Sequence, residues 1–166
     1  MPERKTRERA AKAKHEGKSG STQAGEYVRE EMHHVREGKH GARSSKQAIT
    51  IGLNKARRAG VKLKSPKKGS TSEKTRRSAK SATKRAAKGE RSVSSTRSRA
   101  TRGALKREGH SAAARSSLSR QSKSSARKRS SSERSAAARK ASRTKGRAGR
   151  SAAARKAARM RSRSSR

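Results

Sequence analysis

Three histidines, His33, His34 and His40, lie within a few positions of Glu30, Glu31 and Glu37 and form the densest group of metal-ligating side chains in the chain. Recognised zinc sites on a helix place two histidines one turn apart, as in HExxH, and neither of the adjacent histidines has a histidine four residues on. The spacing therefore predicts solvated imidazoles near a helix C-terminus, where the dipole favours positive charge and a phosphate is within reach. No metal and no cofactor is expected. Tight stoichiometric uptake of zinc would overturn that reading.

Other reactive arrangements are missing as well. Gly17-Lys18-Ser19 has the ending of a phosphate-binding loop, but that loop needs a glycine five residues before Gly17, where Lys12 stands in a helical stretch. Glu30-Glu31 is a pair of adjacent carboxylates, and helix neighbours point about 100° apart, which does not suit shared acid–base work. The chain has no aspartate, no cysteine and no serine in a Gly-x-Ser-x-Gly elbow. It is not expected to be an enzyme.

What remains is charge. Lys and Arg number 51 against 11 acidic residues, a formal net charge of +40. Such an excess attracts polyanions. The longest apolar run, Ala48-Ile49-Thr50-Ile51, is far short of a membrane span, and the basic segments lack an in-phase face of Trp, Phe or Leu, so the expected partner is nucleic acid and not membrane. The start, Met1-Pro2-Glu3-Arg4-Lys5, has no apolar signal core, so a cytoplasmic, nucleoid-associated location is expected. Tyr27 is the lone aromatic residue, too few for base stacking, and Gln23, Gln47 and Asn54 are few for base reading. Affinity should be directed at the phosphate backbone.

These charges need elements to carry them. Residues 1–20 read as a charged helix stopped at Gly17, with Pro2 suited to a first helical position, followed by a short joint at Ser19-Gly20-Ser21. Its faces are polar apart from Ala10, Ala11 and Ala13, so it should form against a partner. In 21–64, Ala24, Val28, Met32 and Val35 recur at helical spacing, Ser44 and Gln47 have capping-box spacing, and Ile49, Leu53 and Ala56 share a face. Gly60 stands where a left-handed residue ends a helix, with Val61 placed to pack on Ala56. The pattern predicts a short helical hairpin, its loop about six residues long. Ile51 falls on the polar side. A module this small needs a staple or a partner, so a homodimer through the hairpin is one expectation. Lys55, Arg58, Lys62 and Lys64 lie off its apolar face, placed to grip phosphates or simply to keep that face soluble.

Residues 65–166 are written almost entirely in Ser, Ala, Arg and Lys, with 34 Lys and Arg against four Glu, and large apolar residues only at Val93, Leu105, Leu118 and Met160. With so little to bury, the segment is expected to be a long, intrinsically disordered basic tail, giving a chain that is mostly α and disordered. Ser-Ala-Ala-Ala-Arg occurs at Ser111–Arg115, Ser135–Arg139 and Ser151–Arg155, at unequal spacing, so the repeats are low-complexity reiteration that would turn helical once phosphates neutralise them. Arg76, Arg77, Arg115, Arg139, Lys140, Arg155 and Lys156 are the phosphate-binding residues expected there. The excess charge matches roughly 30 phosphates, or about 50 Å of duplex, while an extended tail would reach about 340 Å and so could wrap or bridge DNA. Its 25 serines, many beside Arg, are either polar spacers or phosphorylation sites that would cancel the charge.

The stretch Gly25 to Leu63, with Lys39-His40-Gly41, Lys46-Gln47-Ala48-Ile49 and Ala56-Arg57-Arg58-Ala59-Gly60-Val61, resembles a family of small basic bacterial proteins of unknown function. The resemblance covers about a quarter of the chain; it implies an intracellular bacterial protein and brings no catalytic residues with it. The tail separately resembles the arms of linker histones and of bacterial histone-like proteins, with more Arg and Ser and almost no Pro. Histone-like, sequence-nonspecific DNA binding and compaction is the function expected. An RNA-binding, ribosome-associated assembly factor and a structural or stress protein coating acidic partners are the alternatives.

Overall fold

The computed structural model describes residues 2–89 and 94–164; Glu90 and Val93, counted above, lie outside the described residues. The elements run α1 Arg4–His15, α2 Gly20–Arg36, α3 Ser45–Arg58, α4 Glu73–Ala87, α5 Ser95–Lys106, a 3₁₀ turn Ser111–Ala113, α6 Arg115–Arg127 and α7 Ser131–Ser164. Two compact units result, Met1–Gln121 and Ser122–Arg166.

In the first unit α2 lies between α1 and α3. Helix α1 starts at Arg4, so Pro2 stands just outside it, and Thr6, Ala10 and Ala13 are buried in its packing on α2. Helix α3 begins where Ser44 Oγ accepts the Gln47 N–H at 3.2 Å; the return bond runs from the Arg43 N–H to Gln47 Oε1 at 2.8 Å, one residue earlier than a standard box. It ends in a Schellman motif, with the Val61 N–H on Ala56 O at 3.1 Å, the Gly60 N–H on Arg57 O at 3.0 Å and Gly60 at φ +86°. Val61 closes that cap against Ala56 inside a cluster with Ala10, Ala24 and Tyr27. Helices α2 and α3 cross closely at Gly52, where an added Cβ would lie 2.7 Å from Val28 Cα. The connection between them, residues 37–44, is longer than the expected loop, and Ile51 is half-buried.

The expected fold class, a short hairpin followed by a disordered tail, is overturned. Every described stretch of 65–166 belongs to a helix or to a short link between helices, and part of it completes the core of 21–64. Two physical reasons account for this. Ala, Arg and Lys are among the better helix formers, and serines cap the helices they begin: Ser72 accepts the Thr75 N–H, Ser94 the Arg97 N–H, and Ser130 forms a full capping box with Glu133 at 3.2 and 3.1 Å. The second reason is that alanine is buried without loss of side-chain entropy, so a count of large apolar residues underestimates what the segment can bury. Helix α4 packs on α3 with Ala79 and Ala82 buried.

The chain after α5 then crosses back over α2 and α3 as a strap. The Gly41 N–H bonds Leu105 O at 2.9 Å and the Ala42 N–H bonds Gly109 O at 3.0 Å. Ala112 and Ala113 are buried in one cluster with Met32, Val35, Ala42 and Ala48, and Leu118 packs at its edge. Ser45 Oγ donates to Ala112 O at 2.5 Å and Arg36 Nε to Ala113 O at 3.0 Å. The first Ser-Ala-Ala-Ala-Arg copy thus plugs the core, with its Ser111–Ala113 in a 3₁₀ turn. The other two copies lie exposed on α7.

The second unit is α7 with the end of α6. Its helix is broken at Gly146, whose φ 62° and ψ 178° belong to a region essentially reserved for glycine. Arg150 reaches back across the break to donate to Ser142 O at 3.0 Å, placing positive charge on the carbonyls that end the first segment. Outside residues 144, 145 and 163–166, none of the residues of this unit is buried.

Candidate functional site

The basic residues singled out from sequence fall into two groups. Lys55 is turned inward: its Nζ lies 2.5 Å from Glu31 Oε2 and 4.0 Å from Glu30 Oε1, with only 26% of the side chain exposed. Arg58, Lys62 and Lys64 are exposed at the end of α3 and in the segment after it. On α4, Arg76 forks onto Glu73 with bonds of 2.9 and 2.7 Å, and Arg77 lies 3.7 Å from the same carboxylate. Those hydrogen bonds push the Arg76 guanidinium up and hold the Glu73 carboxyl below its ordinary range.

Arg115 opens α6 and is exposed, as are Arg139, Lys140, Arg155 and Lys156 on α7. The last four stand either side of the break at Gly146. From Ser122 to Arg166 the sequence holds 17 Lys and Arg against one Glu, Glu133. At 1.5 Å per residue the stretches before and after Gly146 are about 22 and 27 Å long. The expected extended reach of the tail therefore does not apply; its charge is carried on helical rods.

The lone aromatic offers nothing to a base. Tyr27 is 3% exposed, and burial, then the neighbouring Glu30 charge, pushes its hydroxyl upward.

A second concentration of chemistry lies on α2 and the turn that follows it. Glu30 and Glu31 are both buried. Glu30 accepts the Glu3 N–H on both oxygens at 3.3 Å and has His34 Nε2 at 3.8 Å. Glu31 faces His40 Nε2 at 3.1 Å from one oxygen and Lys55 from the other, yet neither contact is aligned as a hydrogen bond. His34 Nε2 also lies 2.9 Å from Glu3 Oε1, and Lys39 Nζ bridges Glu37 at 3.0 Å and Glu3 at 3.3 Å. Those bonds lower the Glu3 carboxyl, chiefly through His34, and raise the Lys39 ammonium, chiefly through Glu37. Of the three histidines expected to be solvated, only His33 is exposed; the side chains of His34 and His40 are 14% and 17% exposed.

The sequence brings these residues together as the densest group of possible ligands, and the lack of two histidines one turn apart reads them as solvated. The signal present was Glu31-x-x-His34, an i,i+3 pair on one helical face, followed by a glycine turn at Gly38 that returns His40 to the same end. Comparison with protein-family models, curated proteins and solved structures finds no match.

Proposed function

We propose that the chain binds duplex nucleic acid without regard to sequence, DNA in preference to RNA, and compacts it by neutralising phosphate. The observation that carries this reading is the sequence of Ser122–Arg166, with 17 Lys and Arg against one Glu, most of it on the exposed helix α7. A charge of that density is matched in sequence by the single acid Glu133, and exceeds what solubility requires. Arg58, Lys62, Lys64, Arg77 and Arg115 add exposed charge in the first unit.

Duplex is favoured over single strand because Tyr27 is buried, which removes the one stacking platform. DNA is favoured over RNA because basic helices fit the major groove of B-form DNA, about 12 Å wide, whereas that of A-form RNA is too narrow for side chains to read.

Fluorescence anisotropy with a DNA duplex, an RNA duplex of the same sequence and each single strand, titrated across salt, tests the proposal. The DNA duplex should bind most tightly, with log K falling against log salt at a slope of about −6 or steeper, equivalent to some seven phosphates. Tighter binding of single-stranded RNA would favour an RNA assembly role, and a slope near zero would defeat the electrostatic mechanism.

A further inference from the structure

We propose that Glu31, His34 and His40 form a binding site for a divalent transition-metal ion of the zinc class. One ligand atom from each, two imidazole nitrogens and a carboxylate oxygen, lie within 4.8 Å of one another. Two imidazoles and a carboxylate are a recognised donor set for zinc, with a further position left open. An ion holding its ligands at about 2.0–2.1 Å in tetrahedral geometry brings them to about 3.3 Å apart, so the side chains close by up to about 1.5 Å.

Two further observations call for a cation at this point. Glu31 is fully buried; the Lys55 ammonium meets Oε2, but neither oxygen accepts an aligned hydrogen bond among the described residues, and Oε1 is left without a lysine of its own. His40 has an acceptor at each ring nitrogen: Nδ1 lies 3.0 Å from Gly41 O and Nε2 lies 3.1 Å from Glu31 Oε1. With the Nδ1 proton on the carbonyl, Nε2 of a neutral ring turns a lone pair toward a carboxylate, a pairing that becomes attractive with a second ring proton or with a metal ion between them. A metal-bound histidine characteristically donates its other N–H to a backbone carbonyl in this way.

The surroundings suit an ion as well. Glu3, Glu30, Glu31 and Glu37 gather here against Lys39 and Lys55, a locally acidic spot in a chain of net charge +40. Lys55 holds Glu31 Oε2, which leaves Oε1 for the ion, so neither contact need be broken for the other. The Glu3 carboxylate lies 2.9 Å from His34 Nε2, a contact that ligation through that nitrogen would replace.

Isothermal titration of the nucleic-acid-free full chain with Zn²⁺ should show one ion bound per chain. Co²⁺ should bind at the same stoichiometry, with a visible absorption band of tetrahedral intensity that Zn²⁺ abolishes, while Mg²⁺ should not compete. Glu31→Gln, His34→Gln and His40→Gln should each weaken Zn²⁺ binding by more than the 10–100-fold that an outer-shell change typically costs. His33→Ala and His15→Ala, at exposed positions, should bind as the parent does. Far-UV circular dichroism identifies any variant that loses the fold, and His34→Gln, at the rim of the cluster, decides if the buried positions prove intolerant. Absence of stoichiometric uptake by the parent, or parental affinity in a folded His34→Gln variant, would overturn the site. Neither result bears on DNA binding, which the anisotropy titration reads separately.

Discussion

At the scale of single residues, the fold depends on a few places where almost no side chain fits and on charges that burial has trapped. Gly52 is the contact point of α2 and α3, with Val28 Cα, Tyr27 O and Val28 N all at 3.0 Å or less from where a Cβ would stand. Because the obstruction is backbone, relief requires the helices to separate, and Gly52→Ala should cost about 1–3 kcal/mol in urea or thermal melts. Arg57 presents the opposite case. It is 5% exposed, its Nε has no partner, and no carboxylate pairs with it among the described residues; burial pulls its guanidinium downward. Removing an uncompensated buried charge should not weaken a protein, so Arg57→Leu is expected to melt at the same temperature as the parent or higher. A clear fall in the melting temperature would show that the 3.5 Å bond from Arg57 Nη1 to Asn54 Oδ1 outweighs the cost of burying the charge.

Secondary-structure elements in the basic segment stand on caps and local ion pairs, which makes them sensitive to acid. Glu73 is the first residue of α4 and accepts Arg76, whose hydrogen bond and charge hold the carboxyl below its ordinary value of 4.5. A depressed carboxyl contributes stability that is complete above its unfolded value and is lost as pH falls through its folded one. Acidification from neutrality through about pH 4 should therefore lower the melting temperature, and Glu73→Gln should flatten that decline while melting below the parent at pH 7. Equal slopes in the two proteins would mean that the pair contributes nothing. Caps of this kind were readable beforehand at Ser44 with Gln47 and at Gly60 with Val61, because each is a local rule satisfied within six residues. The Ser130 and Glu133 box obeys the same rule, but a composition poor in large apolar residues argues for disorder and hides the helix that the box begins.

For the molecule as a whole, what escaped the sequence was non-local. The face formed by Val28, Met32 and Val35 is legible as a helical stripe, but nothing in its spacing says that Ala112 and Ala113 will cover it. Alanine carries little signal of its own, and its burial is decided by what it meets. The same holds for the candidate metal cluster, where His40 reaches Glu31 only because the chain turns at Gly38. The basic surface was legible in kind, since charge is additive along a sequence, yet Lys55 shows the limit: it belongs to the charge count and is spent on Glu31. The placement of the strap makes a prediction about pieces of the chain. A fragment of residues 1–64 leaves the Met32 and Val35 face bare and should show less helix per residue and a broader melt than a fragment of residues 1–121. Removing residues 122–166 should leave the melt of the first unit intact while cutting DNA affinity and the steepness of its salt dependence. An undiminished salt slope would move the phosphate contacts to the first unit.

The strap also bears on how the chain comes into being. Met32 and Val35 emerge from the ribosome well before the residues that cover them, since Ala112 follows the end of α3 by roughly 50 positions, or about 3–10 s of synthesis at 5–20 residues per second. Helices form in microseconds or less, so α2 and α3 are made long before their lid exists. During that interval a sticky apolar face waits uncovered on a nascent chain whose next residues are overwhelmingly cationic. Mutual repulsion between neighbouring cationic nascent chains would oppose contact between their uncovered faces during that interval.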